Sequence, residues 1–137
     1  MKWKILISIL LVAIVLVSGC AQRNAEVKEF KVKISHTGYI FYPYNATKPV
    51  LSPVVNLGDT VRFLVTTQTD EEDHNHGVAI DEFGINKAVR TANEKEPVVI
   101  EFVANKTGKF RVYCKTCSEG IFGEEHPELE AWLDVGK

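Results

Sequence analysis

Hydrophobic and polar positions alternate along most of the chain with a period of two, the signature of strands with one buried face. Phe30, Val32 and Ile34 alternate with Lys31 and Lys33, and Val61, Phe63 and Val65 repeat the pattern after the turn residues Leu57-Gly58-Asp59-Thr60. Tyr39-Ile40-Phe41-Tyr42 is an aromatic-rich extended stretch, bounded by Pro43 and followed by Pro49 and Pro53. Residues 98 to 103 and 109 to 113 predict two more strands joined by a Thr107-Gly108 turn, and Leu133 with Val135 predicts a short closing strand. No segment carries a sustained helical period. Short strands with regular turns predict an all-β sandwich.

The N-terminus departs from this pattern. Lys2 and Lys4 precede an apolar run from Ile5 to Val17 that ends in Val17-Ser18-Gly19-Cys20. A basic start, a short apolar run and small residues before a cysteine predict a secretory signal over residues 1–19 with a lipobox, and the run is shorter than a spanning helix needs. Cleavage there would leave Cys20 as a lipid-bearing first residue, followed by a polar tether to residue 29 and one domain over residues 30–137. The protein is then expected outside the cytoplasm as a membrane-anchored lipoprotein, in the periplasm or on the cell surface. An uncleaved single-span anchor is the alternative, and it places the domain on the same side.

Removing residues 1 to 19 takes Lys2 and Lys4 away, so 14 of the 16 basic residues face 18 acidic ones, a net charge of about −4. A mildly acidic domain excludes nucleic acid as the expected partner. Asp70-Glu71-Glu72-Asp73 is a charge block expected in a loop, and the sequons Asn45-Ala46-Thr47 and Asn105-Lys106-Thr107 matter only in a host that glycosylates them.

With Cys20 assigned to the lipid, Cys114 and Cys117 remain as a C-x2-C pair. In an oxidising compartment such a pair reads plainly as a short-loop disulfide. A thioredoxin-like motif is disfavoured because no βαβ pattern surrounds it. The same chain also offers His76, in Asp73-His74-Asn75-His76-Gly77-Val78, and His126 near the C-terminus. Two imidazoles and a thiolate with a weak axial ligand are the donor set of copper electron-transfer sites. On the strand 109 to 114, Phe110, Val112 and Cys114 share a face, which turns Cys114 to the core side. A buried inert thiol would do the same.

Several segments together resemble the copper A domain of cytochrome oxidase subunit II and related cupredoxins. Asp73-x-x-His76-Gly77 with Ile80-Asp81-Glu82-Phe83-Gly84-Ile85-Asn86 looks like their first-histidine segment. Gly108-Lys109-Phe110-Arg111-Val112-Tyr113-Cys114 is similar to the strand that delivers their first cysteine. His126-Pro127-x-Leu129 with Leu133-x-Val135 resembles their His-x2-Met and last strand, and Leu57-Gly58-Asp59-Thr60-Val61 their entry to a central strand. The resemblance spans about residues 30 to 135 and implies a Greek-key cupredoxin sandwich with copper, one or two ions, on His76, Cys114, Cys117 and His126.

The chain also departs from that family. Copper A domains read C-x3-C-x3-H-x2-M, whereas here the cysteines are two residues apart, eight residues separate Cys117 from His126, and Leu129 stands at the methionine position. Two sites are compatible with this. In one, both cysteines bridge two coppers capped by the histidines. In the other, His76, Cys114 and His126 hold a single blue-type copper beside Cys117. His74 and His36 are read as ordinary histidines outside the site.

A cupredoxin without further reactive groups implies an electron carrier rather than an enzyme, with a c-type cytochrome or a terminal oxidase as redox partner. The rival is a copper chaperone or buffer that delivers the metal to another centre. A solvent-facing C-x2-C would suit that role.

Overall fold

The computed structural model describes residues 24–35, 37–67, 76–89, 92–93, 95–115, 117 and 129–137. Among the described residues nine strands form two sheets. The first contains β1 (Val27–Ser35), β2 (Gly38–Pro43), β4 (Thr60–Thr67) and β7 (Val98–Val103) in the order β2-β1-β4-β7. The second contains β3 (Val54–Asn56), β5 (His76–Ile80), β6 (Ile85–Val89), β8 (Gly108–Tyr113) and β9 (Glu130–Gly136) in the order β3-β9-β8-β5-β6. β1 runs parallel to β4 and β3 parallel to β9, while the remaining neighbours are antiparallel. Between β4 and β7, which pair in one sheet, the chain crosses to the other sheet to lay down β5 and β6. That crossing is the Greek-key connection expected of the sandwich.

The alternating positions of the sequence are the inner faces. Phe30, Val32 and Ile34 of β1, Val61, Phe63 and Val65 of β4, Phe110 and Val112 of β8, and Leu133 and Val135 of β9 are all buried. Phe63 is the hub: its ring meets Phe30 at 6.0 Å, Phe41 at 5.7 Å and Phe102 at 5.8 Å, at steep angles that suit aromatic quadrupoles. Phe83, on a 3-10 turn after β5, adds its edge to Phe110 at 4.9 Å.

Strand register defines two ends. Thr60 of β4 lies beside Val27 and Val103, and Asn56 of β3 beside Gly136, so these residues form the base. Asp59 holds the base together although it is only 1% exposed. Its carboxylate accepts the backbone N–H of Glu26 at 3.1 Å and of Asn56 at 2.9 Å, which ties the start of β1 to the turn between β3 and β4. Gly58, at φ 89°, supplies the left-handed residue of that turn. The opposite end carries Thr67, Tyr39, His76 and Tyr113, and from there the chain leaves β8 toward the two cysteines.

Three strands were not legible in the alternation. β5 is buried at all five positions, so it offers no polar face to alternate with. β6 is an edge strand with Asn86, Lys87 and Ala88 exposed, and β3 is only three residues long. β1 begins at Val27, before the first regular apolar position.

Candidate metal centre

β5 lies between β8 and β6 in the second sheet, and its first residue is His76. Side chains alternate along a strand, so His76 shares the core-facing side with Val78 and Ile80. The imidazole is 1% exposed. An imidazole so deeply buried in a strand whose other side chains are all aliphatic is held by specific partners or it costs stability.

Cys114 follows the last residue of β8 and packs at the margin of the core, while Cys117 is buried at 7% exposure. The Cys117 sulfur lies 3.7 Å from Nδ1 of His76, within hydrogen-bonding range for sulfur. Cys114 and Cys117 are joined as a disulfide, with Cα atoms 5.6 Å apart. The plain reading of the C-x2-C pair is thus its state here, and the pair is not solvent-facing as the copper-handling reading assumed. The apolar face that Cys114 shares with Val112 draws the loop inward, and the short three-residue step brings Cys117 back over His76.

The loop is fastened from outside as well. Asp81, directly after β5, accepts the Tyr113 phenol at 2.7 Å and pairs with the Lys115 ammonium. The Lys115 hydrogen bond first, and then the Tyr113 one, hold the Asp81 carboxyl below its ordinary range, and the same Asp81 bond raises Lys115. Lys115 is the residue between the two cysteines on the Cys114 side, so this pairing anchors the cysteine loop to the end of β5.

Tyr39 of β2 reaches the site from the other sheet. Its phenol, in a residue 8% exposed, donates to the Gly77 carbonyl at 2.6 Å, and its ring stacks on Phe41. Burial pushes the Tyr39 phenol well above its ordinary range. The contacts of Tyr39, Asp81 and Lys115 were not legible in the sequence, where Tyr39 stands only in an extended stretch and Asp81 only in the first-histidine segment. The burial of Asp59 was likewise unforeseen, although its Gly-Asp turn was noted.

Of the four expected ligands, the structure brings His76 and Cys117 together, with Cys114 bonded to Cys117. His126 lies outside the described residues, as do His36, His74 and Cys20. Leu129, at the position where a methionine was sought, is 2% exposed and part of the hydrophobic core. Among the described residues no group of three His, Cys, Asp or Glu side chains is assembled for a metal ion. The donors present, one imidazole nitrogen and two sulfurs, are of the kind that suits copper once the sulfurs are reduced.

No family model matches the chain, and no curated protein matches it. Solved structures do. The periplasmic domain of subunit II of cytochrome oxidase (CoxB) of Bradyrhizobium japonicum matches with a TM-score of 0.60 at 17% identity, over 80% of this chain and 84% of that one. A mixed disulfide intermediate between the thioredoxin-like TlpAs and subunit II of cytochrome c oxidase matches with a TM-score of 0.58 at 19% identity, over 80% and 82%. The metal binding domain of the Streptococcus pneumoniae D39 Cu(I) exporting P-type ATPase CopA, solved with Cu(I), matches with a TM-score of 0.54 at 12% identity, over 82% and 95%. At these identities the likeness is one of fold. Sheet order, buried faces and structural neighbours agree that the chain folds as a cupredoxin-like Greek-key sandwich, resembling the periplasmic domain of cytochrome oxidase subunit II.

Proposed function

We propose that this chain is an extracytoplasmic copper-binding electron-transfer protein that holds one or two copper ions through His76, Cys114, Cys117 and His126. The observation that carries this reading is the approach of the buried His76 nitrogen to the Cys117 sulfur at one end of the sandwich. Copper bound there would supply a one-electron couple held by imidazole and thiolate donors. The chain's own residues do the rest. The closed sheet fixes the His76 ring, the core excludes water from Cys117, and the Asp81 anchor limits how far the cysteine loop can move.

The disulfide has to open first. Its S–S bond takes up two electrons and two protons, giving two thiols that lose their protons when they ligate a metal. A dithiol reductant is the class of partner that supplies this. The structural neighbour caught in a mixed disulfide with a thioredoxin-like protein supports such an encounter.

Periplasmic neighbours and the signal-like N-terminus support a site outside the cytoplasm, with Cys20 as the lipid anchor. Among the described residues no helix is long and apolar enough to cross a membrane. A c-type cytochrome or a terminal oxidase is the expected redox partner. Of the acidic residues Asp70, Glu71, Glu72, Asp73, Glu119, Glu124, Glu125, Glu128 and Glu130, which precede His76 or follow the cysteines in sequence, only Glu130 is described, and it pairs with Arg111 at 2.8 Å.

A second reading, copper handling for another centre, is favoured by the likeness to a metal binding domain solved with Cu(I). One experiment separates the two. The reduced protein is loaded with copper, and its visible spectrum is recorded with the metal-to-protein ratio. An intense thiolate band that disappears and returns through a redox cycle is the expected result. Binding of Cu(I) alone, without a coloured Cu(II) form, supports delivery or buffering. A protein that retains no copper in either valence overturns both.

A further inference from the structure

Among the described residues, Tyr39 of the first sheet makes a polar contact with the backbone of β5, and it falls beside the candidate ligand. Tyr39 and Phe41 point inward from β2 and stack on each other at 6.3 Å, so packing holds the ring of Tyr39 in the core. Its hydroxyl then crosses from one sheet to the other and donates to the carbonyl of Gly77, the residue directly after His76. The β5–β8 pairing consists of Ala79 opposite Tyr113, two residues short of Gly77. At the point where β8 diverges toward the cysteine loop, the phenol therefore takes the Gly77 carbonyl. A buried carbonyl left without a donor is costly, so this contact fixes the local path of β5.

We propose that Tyr39 is a positioning residue for the candidate centre, setting through the Gly77 carbonyl the place and orientation in which β5 presents the His76 ring to Cys117. This inference rests on the copper reading for its purpose, yet its geometry is testable in the metal-free protein. A merely structural tyrosine would lend stability to the whole sandwich. A positioning tyrosine acts on residues 76 to 78 first.

Tyr39→Phe keeps the ring and removes only the hydroxyl. In metal-free protein, amide exchange at His76, Gly77 and Val78 is expected to rise about tenfold, the equivalent of about 1.4 kcal/mol for one lost buried hydrogen bond. Exchange at Val61, Phe63 and Val65 stays at its wild-type rate, and the imidazole resonances of His76 shift. Phe41→Leu, which loosens the same stack without touching the hydrogen bond, should raise exchange across the core and leave the His76 ring resonances in place. Equal rises at both sets of amides in Tyr39→Phe, or an unmoved His76 ring, overturn the proposal. Should Tyr39→Phe not fold, 3-fluorotyrosine at position 39 decides: its hydroxyl is the stronger donor, so exchange at residues 76 to 78 must slow relative to residues 61 to 65, and no change overturns the proposal. In copper-loaded protein Tyr39→Phe must also displace the thiolate band, and an unchanged band counts against the proposal. A wild-type protein that takes up no copper ends the proposed function while the metal-free exchange still decides whether Tyr39 positions His76.

Discussion

The sulfur of Cys117 sits 3.7 Å from Nδ1 of His76 although 41 residues separate them in the chain. The contact joins the start of a strand buried on every position to a loop that leaves the neighbouring strand. If the two atoms share a metal, the cysteines have distinct duties. Cys114→Ser is expected to abolish the thiolate-to-copper absorption band of the loaded protein and most of its copper. Cys117→Ser is expected to remove half of the copper from a dinuclear centre, or to leave a single blue-type copper in a mononuclear one. Absorption spectra with metal-to-protein ratios read both variants, and a wild-type spectrum in Cys114→Ser would retire the ligand assignment.

The alkaline limit of stability is set in part by Tyr39. Its folded phenol ionises well above the ordinary value near 10, so the contribution is fully present below about pH 10 and is lost as pH rises toward the folded value. In that window the unfolded chain has released a proton that the folded one keeps. Unfolding free energy should fall with a slope of about 1.4 kcal/mol per pH unit from this residue. Denaturant titrations of wild type and Tyr39→Phe from neutral to alkaline pH should differ by that slope, and identical slopes would refute the assignment.

Asp81 sets the acid behaviour of the cysteine loop. Its folded carboxyl ionises below the ordinary value near 4, chiefly through Lys115 and then Tyr113, so its pairing is present above that value and is lost as pH falls through the folded one. The pair is exposed, so global stability should change little. What should change is the loop: Asp81→Asn is expected to speed reduction of the Cys114–Cys117 disulfide by a small-molecule dithiol at neutral pH. A reduction rate equal to that of wild type would show that Asp81 does not restrain the loop.

Asp59 acts at the other end. Asp59→Ala leaves the backbone N–H groups of Glu26 and Asn56 without their acceptor, a loss of about 2–4 kcal/mol. Thermal unfolding should show a drop of roughly 10 °C or more. The copper spectrum of the loaded variant should match wild type, because the base and the site end are separated by the length of the strands.

Cys20→Ala tests the anchor. Lipid attachment should cease and the protein should leave the membrane fraction, with the folded domain unchanged. A variant that is still lipid-modified would place the anchor elsewhere.

How much of this was legible depended on whether a residue belongs to a repeating pattern. Phe30, Val32 and Ile34, or Val61, Phe63 and Val65, announce an inner face because every second residue is apolar. His76 was found by its chemical type and its neighbours, yet its strand was not, since His76-Gly77-Val78-Ala79-Ile80 has no exposed position to break the run. Tyr39 looked like one aromatic among several, because a hydrogen bond to a backbone carbonyl 38 residues away leaves no trace in composition or spacing. Leu129 stands where the resembled family has a methionine and offers no donor atom, and its burial makes it part of the core.

The place of β9 in the second sheet governs the order in which the protein becomes itself. β9 is inserted between β3 and β8, pairing Val54 with Asp134 and Phe110 with Leu133, so β3 has no sheet to join until residues 130–136 have arrived. A chain growing from its N-terminus can pair β1 with β2 early, but the sheet that carries His76 is complete only once β9 has been made. Pairings between such distant segments form slowly and leave strand edges open while they wait. On the proposed copper reading, a chain lacking residues 130–136 would keep His76 and both cysteines yet lose the β3–β9 and β8–β9 pairings of the sheet that carries His76, and with them its metal binding.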